Sequence, residues 1–381
     1  MSKKFKNNSN CIKAALVMVP LLVPAYAQAV SFDVDGTRVS VGGFAKLDAI
    51  YDFDSDLGSS IQFPNIALDG ERAPEGHTNL HAFESRLNVG TVTQTEVGEI
   101  RTFVEGDFYG AGGGQLRLRH AYGEWNGILA GQTWTNFGGF IGLTPTIDFT
   151  TPTGNALGLR QAQIRYTTGG LSLSLEDPGN LGGNVVSTQG DAKSSLPDFT
   201  ARYETAYNKL RVGTSVVLRQ LEYYNDATDS EETAFGWGVH LESAYDLSDA
   251  LTVRASIVHG DGIGGYINVA PNAPAYVDEN TLDVETIKST GVMLGASYKV
   301  GPGAVNLVAS GVEADLDDAV QASSGFTNDS NKEYRSYYIN YIWNLAPGVQ
   351  YGVELGRHSR EVFDGRDGAA TRLQAMAKYS F

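Results

Sequence analysis

The last ten residues, RLQAMAKYSF, place Leu373, Ala375, Ala377, Tyr379 and Phe381 on one side of an extended chain and Arg372, Gln374, Met376, Lys378 and Ser380 on the other. Successive side chains of a strand point to opposite faces, so such a run reads as a strand between two different environments. The pattern recurs along the chain. Val39, Val41, Ala45, Leu47, Ala49 and Tyr51 oppose Lys46, Asp48 and Asp52, and Phe235, Trp237, Val239, Leu241 and Tyr245 oppose His240 and Glu242. The runs predict strands near 38–52, 80–93, 98–109, 115–125, 128–137, 158–168, 170–177 and 198–207. The second half adds 209–223, 233–246, 250–260, 286–300, 303–313, 333–346, 348–360 and 370–381. That is sixteen, an even number, as a closed antiparallel sheet in an outer membrane requires.

The connections divide the same way. Those after even-numbered strands are tight, such as Asn126-Gly127, GPG at 301 and Pro347-Gly348, whereas those after odd-numbered strands are mostly long, such as 53–79 and 261–285. Short turns at one end and long loops at the other are the layout of an outer-membrane barrel. Closure follows because an open sheet edge in lipid leaves backbone groups unpaired. A pair of soluble β-sandwiches would also alternate. It would have to pack the faces rich in Leu, Val, Tyr and Trp inward beside faces carrying many arginines. Aromatic residues near segment ends, Tyr51, Tyr109, Trp125, Tyr166, Tyr245, Tyr298, Trp343, Tyr379 and Phe381, fit an interfacial girdle. The fold expected is all-β, a 16-stranded antiparallel transmembrane β-barrel over residues 30–381.

Residues 1–29 read differently. Lys3, Lys4, Lys6 and Lys13 precede an uncharged, mostly apolar stretch, Ala14 to Ala27, too short to span a bilayer as a helix. Ala25, Ala27 and Ala29 offer small-residue cleavage sites, so a secretory signal peptide is expected, cut after Ala27 or Ala29. It holds four of the 28 basic residues and none of the 44 acidic ones, so the formal charge of −16 falls to about −20 without it. The single cysteine, Cys11, leaves with it. The mature chain is then expected to have no disulfide, thiolate metal site or cysteine nucleophile.

The face opposite the apolar one carries Arg86, Arg101, Arg117, Arg119, Arg165 and Arg202, together with Glu84, Glu99, Glu105 and Asp107. In a barrel of this size that face lines a watery channel. Arginines there favour anions by raising their local concentration, and a guanidinium grips a carboxylate or phosphate in a fork. The same arginines can instead pair with the acids to stiffen the wall. After the fifth strand, GGFIGLTPTIDFTTPTGNALG (138–158) is long and apolar for an exposed loop. Folded into the lumen it would act as a pore-constricting third loop, setting Asp148 and Phe149 against the arginine wall; folded outward it would pack on a neighbouring subunit. Asp226, Asp229, Glu231, Glu232, Asp315, Asp317, Asp318 and other acids gather in the remaining loops, which explains how an acidic chain can enclose a basic passage. They are read as solvated, although divalent cations bridging to lipopolysaccharide would also find oxygen ligands there.

Enzyme signatures are missing: no HExxH, no Walker loop and no dinucleotide fingerprint after a strand, and GAGGG at 110–114 joins two antiparallel strands. His77, His81, His120, His240, His259 and His358 lie in no catalytic motif. No enzyme activity, cofactor, metal site or nucleic-acid partner is expected.

FVEGDFYG (103–110), LRLRHAYGEW (116–125), GQTWTNFGG (131–139), RQAQIRY (160–166) and LPDFTARYE (196–204), with YDFD at 51–54, together resemble the DcaP-like family of trimeric outer-membrane porins. The resemblance covers roughly residues 38–210 and is looser from there to Phe381. It implies a homotrimer in the outer membrane of a Gram-negative bacterium, each barrel narrowed by its third loop and passing small anions such as dicarboxylates. On this match Arg86, Arg101, Arg117, Arg119, Arg165 and Arg202 line the passage. Some members carry a periplasmic coiled coil before the barrel; here about eight residues separate the cleavage site from the first strand, without heptads. Passive diffusion of small carboxylates is the function expected. The alternatives are a general non-selective or cation-preferring porin, and a structural or adhesive barrel whose loops bind partners or lipopolysaccharide.

Overall fold

The computed structural model describes residues 29–157, 159–180, 185–187, 190–226 and 228–381. All of the expected leader but Ala29 lies outside these residues. In chain order the strands are β1 (Val30–Val34), β2 (Thr37–Asp52), β3 (His77–His81), β4 (Arg86–Thr95), β5 (Gly98–Gly110), β6 (Gln115–Trp125), β7 (Ile128–Trp134), β8 (Arg160–Thr168), β9 (Leu171–Glu176), β10 (Val185–Val186) and β11 (Asp191–Lys193). They continue as β12 (Asp198–Tyr207), β13 (Leu210–Asn225), β14 (Ser230–Asp246), β15 (Leu251–Asp261), β16 (Ala275–Val277), β17 (Val284–Thr286), β18 (Lys288–Val300), β19 (Gly303–Ala314), β20 (Asn331–Ala346), β21 (Val349–Val362) and β22 (Asp367–Ser380). No helix among the described residues is long and apolar enough to cross a membrane.

Seventeen of the elements make the sixteen strands of the wall: β2, β3 and β4 as one interrupted strand, β5 to β9, β12 to β15 and β18 to β22. Neighbours in this series pair antiparallel, and the sheet closes where Phe44–Asp52 of β2 meets Ser380–Arg372 of β22. The second wall strand is interrupted. β3 and β4 both pair with β2, but a turn at 82–85 lies between them, with the Ser85 N–H donating to the Ala82 carbonyl at 3.1 Å. The break turns Glu84 into the lumen, where it receives the Lys46 ammonium.

The interval before the first wall strand is not an unstructured spacer. β1 folds back on β2, Val30 opposite Val41 and Val34 opposite Thr37. β22 ends opposite Phe44, and Gly43 and Phe381 exchange two backbone hydrogen bonds of 3.1 Å. β1 therefore takes over the β2 edge where β22 stops, and fewer backbone groups are left unpaired at the seam.

Alternation sets the two faces. Leu116, Leu241, Leu294, Leu307 and Ile339 are exposed on the outer surface as lipid-facing residues must be. Of the expected girdle, Tyr51, Trp125, Tyr166, Tyr245, Tyr298, Tyr379 and Phe381 are exposed. Tyr109 is a correction: it faces the lumen, lines the cavity and stacks on Phe149.

The lumen is not simply filled with water. Leu57, Ile61, Phe63 and Ile66 from the loop after β2, Phe137 and Ala156 from the third loop, and Tyr266 and Ile267 from the loop after β15 pack there. Their partners are inward residues of the far wall, among them Val217, Val258, Met293, Val308 and Tyr334. Burying these apolar side chains supplies the drive to fold the loops inward. The cavity that remains is lined by the arginine-bearing strands and also by inward residues of β15, β18, β19 and β20. At the long-loop end, β10, β16 and β17 form a small separate sheet. The helix Asp317–Ala322 lies in the same group of loops, where Tyr276 and Phe326 share a core with Leu316 and Ala319.

Candidate functional site

The arginine-bearing wall of the lumen is shaped by a fault in the β5–β6 ladder. Arg117 stands opposite Asp107 and Leu118 opposite Gly106, but the next partner of Glu105 is His120, so Arg119 is the extra residue of a bulge. Arg119 and His120 are both buried. Parity switches there: Leu116 and Leu118 face lipid before the bulge, Trp125 after it.

Around this bulge the acids lie behind the arginines. Asp107 accepts a two-pronged bond from Arg117, 3.0 Å to Nε and 2.8 Å to Nη2, and a third bond from Arg119 Nη1 at 2.8 Å. Glu105 accepts from Arg119 Nε at 3.0 Å and from Arg86 Nη1 at 3.5 Å. Asp107 is fully buried, whereas the side chains of Arg117 and Arg86 are 37% and 25% exposed. Guanidinium edges therefore face the water. Arg119, only 2% exposed, is the inner member that holds the two acids together.

A further cation joins them from the opposite parity. β6 pairs with β7 only over Ala121–Trp125, against Gln132–Ile128. Beyond Gln132 the β7 chain is no longer held to β6, and Trp134 and its β8 partner Arg160 come to line the cavity. The Arg160 guanidinium sits 4.6 Å from the centre of the Trp134 ring, and Arg119 lies 5.8 Å from the same ring. Among the described residues no carboxylate lies within 4.0 Å of the Arg160 charge. Parity alone puts Arg160 on the lipid side. The signal against that is its charge, since an arginine facing lipid near the midplane costs roughly 2–4 kcal/mol.

The third loop does fold into the lumen, fixed from several walls. Glu242 accepts from the Gly142 N–H at 2.8 Å, and Glu354 accepts from the N–H groups of Ile147 and Asp148 at 2.9 and 3.1 Å. Asn340 Nδ2 donates to the Pro145 carbonyl at 2.9 Å, and Lys46 Nζ to the Ile147 carbonyl at 2.9 Å. A Cβ at Gly139 would collide with Glu242 and Arg202, so the chain approaches the wall closely where it has no side chain. Asp148 is consumed by this anchoring. Arg372 Nη1 donates to it at 2.8 Å while Nε and Nη2 of the same arginine grip Asp52 at 2.7 and 2.8 Å. Burial pushes the Asp148 carboxyl upward, but Arg372 and the backbone N–H groups of Thr150 and Ile61 outweigh it and hold the group below its usual value. What the loop turns toward the arginine wall is Phe149. Its ring stacks on Tyr109 at 4.2 Å, with Arg117 and Arg119 at 5.5 and 5.7 Å from its centre.

Arg86, Arg117, Arg119, Asp148 and Phe149 are thus brought together around one cavity of about 1100 Å³. Arg101, Arg165 and Arg202 are not among its lining residues. Arg101 is 54% exposed near the tight-turn end and is bonded to Glu99. Arg165 donates to Gln163 Oε1 at 2.9 Å and to the Trp134 carbonyl at 2.6 Å, and Arg202 pairs with Glu204 at 2.7 Å and with Glu242. The cavity wall carries eight cations, Lys46, Arg86, Arg117, Arg119, Arg160, Arg254, Lys299 and Lys378, against two acids, Glu84 and Asp148. Among the described residues no group of three or more His, Cys, Asp and Glu is placed to hold a metal ion.

The family model of the DcaP outer membrane protein matches residues 3–381. The chain belongs to the DcaP family. The outer membrane channel DcaP of Acinetobacter baumannii superposes with a TM-score of 0.80 at 26% identity, covering 92% of this chain and all of that one. At the level of fold alone, an anion-selective porin from Comamonas acidovorans matches with a TM-score of 0.58 at 14% identity, over 91% of this chain and all of the other. OmpT of Vibrio cholerae in a trimer form matches with a TM-score of 0.54 at 13% identity, again over 91% of this chain and all of that chain. No curated protein sequence matches. This DcaP protein is a channel of the Gram-negative outer membrane, and its family is not one of enzymes.

Proposed function

We propose that this DcaP protein is a passive, anion-favouring channel for small carboxylates, dicarboxylates above all, and that it works as a homotrimer. The reading is carried by the eight-to-two excess of cations over acids on the cavity wall. Field lines are focused in a water-filled passage with low-dielectric walls, so a modest excess of charge changes the local concentration of ions several-fold. Glu105 and Asp107 cancel part of the arginine charge, but they do so from behind, leaving Arg86, Arg117 and Arg160 toward the solute. A carboxylate can then exchange one guanidinium edge for the next without entering a closed site, and weak, multiple contacts are what allow release. Residues 1–29 serve as the export leader, and the outer surface meets lipid and lipopolysaccharide. The Comamonas acidovorans porin, described as anion-selective, supports the same direction of selectivity, and the trimer form of the Vibrio cholerae protein supports the assembly.

Liposomes reconstituted with the protein test this. Swelling in isosmotic succinate should be markedly faster than in a cationic solute of similar size. Equal rates would favour a general porin, and no swelling at all a structural barrel.

A further inference from the structure

Arg254 and Lys299 line the same cavity on the far side of the barrel from the constriction, seven and eight wall strands round from β6. Thr252 and Arg254 are inward residues of β15, and Ser297 and Lys299 those of β18. Thr252 stands opposite Ser297 in the ladder, and Arg254 opposite Gly295. All four lie within a few residues of a tight turn, at the end where outer-membrane barrels face the periplasm.

Their hydrogen bonds leave this corner short of negative charge. Arg254 Nη1 donates to Ser297 Oγ at 2.7 Å, so the Ser297 hydroxyl proton points elsewhere. Lys299 Nζ donates to the Asp249 carbonyl at 3.1 Å. Asp246 on neighbouring β14 is taken up by Arg211 at 3.1 Å and by the Thr252 hydroxyl at 2.7 Å. Among the described residues no carboxylate lies within 4.0 Å of either the Arg254 or the Lys299 charge. At the constriction the corresponding arginines are backed by Glu105 and Asp107. Two cations and a spare hydroxyl donor turned into water, with the nearby Asp246 bonded to Arg211 and Thr252 rather than to them, make an anion site built differently from the constriction.

We infer that Arg254, Lys299 and Ser297 form a second anion station in the periplasmic vestibule, taking a carboxylate group of a solute that has passed, or is about to enter, the constriction from below. This deepens the anion-channel reading and rests on it. The guanidinium supplies a fork, the ammonium a point charge and Ser297 a hydroxyl, a set that suits one carboxylate. A station here makes the channel asymmetric, because succinate arriving from the periplasmic side meets a capture site before the arginine cluster. Lys299 is exposed.

The test uses single channels inserted in one known orientation, with succinate added to one side at a time and its association rate read from current noise. Arg254→Gln with Lys299→Gln should lower the association rate from the periplasmic side about tenfold, in the range that electrostatic capture gives. The rate from the external side should change less than twofold, and the sign of the reversal potential should stay anionic. Lys299→Gln alone, an exposed substitution that leaves the wall intact, should lower the same rate about threefold, as removing one of the two charges implies. An unchanged periplasmic-side rate in both variants, or an equal fall from the two sides, overturns the station while leaving the anion reading in place. A cation-selective wild-type channel fails the underlying reading instead.

Discussion

Reversing Arg160 is the sharpest perturbation that the pore offers. The cluster of Lys46, Arg86, Arg117, Arg119 and Arg160 faces Asp48, Glu84, Glu105 and Asp107, so the group carries one net positive charge, and Arg160 is the member without a carboxylate partner. Arg160→Glu changes the local charge by two units. For a solute passing at ~8 Å in a water-like medium each unit is worth ~0.5 kcal/mol before screening. With a Debye length of about 30 Å at 0.01 M salt, two screened units come to ~0.8 kcal/mol, a factor of roughly 4 against anions and the same factor in favour of cations. The anion-to-cation permeability ratio should therefore fall roughly fifteenfold at 0.01 M salt and roughly fivefold at 0.1 M, where the Debye length is about 10 Å. Folding should survive, because the substitution takes away only the guanidinium lying over the Trp134 ring, an interaction worth about 0.5–2 kcal/mol. Reversal potentials in planar bilayers at the two salt concentrations measure the ratio. An unchanged ratio would remove Arg160 from the selectivity determinants, and an equal change at both concentrations would show that its effect is steric.

Three other expectations follow from the same network. Arg119→Ala should act on stability more than on selectivity, since it strips the inner partner from the buried Glu105 and Asp107 and should destabilise the barrel by about 3–5 kcal/mol, whereas exposed Arg117→Ala should cost less; thermal unfolding in detergent followed by circular dichroism compares them. Arg372→Ala, or Glu354→Ala, should release the middle of the third loop and raise both open-channel noise and mean conductance, because the first leaves the buried Asp52 and Asp148 without a cation and the second removes the acceptor for Ile147 and Asp148; wild-type noise and conductance would show that the other anchors suffice. Asp148 is held below its usual value, so its stabilising effect is present above the unfolded carboxylate value and lost only as pH falls through the lower folded one. The Arg372–Asp148 pair should thus withstand acidification from pH 7 to about pH 4; in a Glu354→Gln background, where the loop's other acidic anchor cannot titrate, third-loop protection in hydrogen exchange should stay unchanged over that range, and loosening already near pH 5 would contradict that sign.

Strand number, strand order and most inward-facing residues are legible in the sequence because a closed barrel ties each of them to a period of two. Legibility fails where the wall departs from regular pairing. The bulge at Arg119 hides a parity switch, since Leu-Arg-Leu-Arg reads as perfect alternation until the partner strand is known. The inward placement of Arg160 and Trp134 is hidden because β7 leaves β6 after Gln132, and no local pattern announces a missing partner. The inward course of the third loop is readable from Phe140, Ile147 and Phe149, residues that need cover. The role of Asp148 is not, because its partner Arg372 is 224 residues away and becomes adjacent only through barrel closure. Leu57, Ile61, Phe63 and Ile66 sit in a long loop whose acids suggest a solvated segment, although their spacing carries enough apolar surface to fill part of the lumen.

Whether the passage favours anions is read from the zero-current potential of the wild-type channel in a planar bilayer under a tenfold potassium chloride gradient. The cation excess on the cavity wall predicts a potential whose sign is that of chloride permeating faster than potassium, shrinking as ionic strength rises. A potential of the potassium-selective sign at low salt would show that the cavity's cations do not set its selectivity.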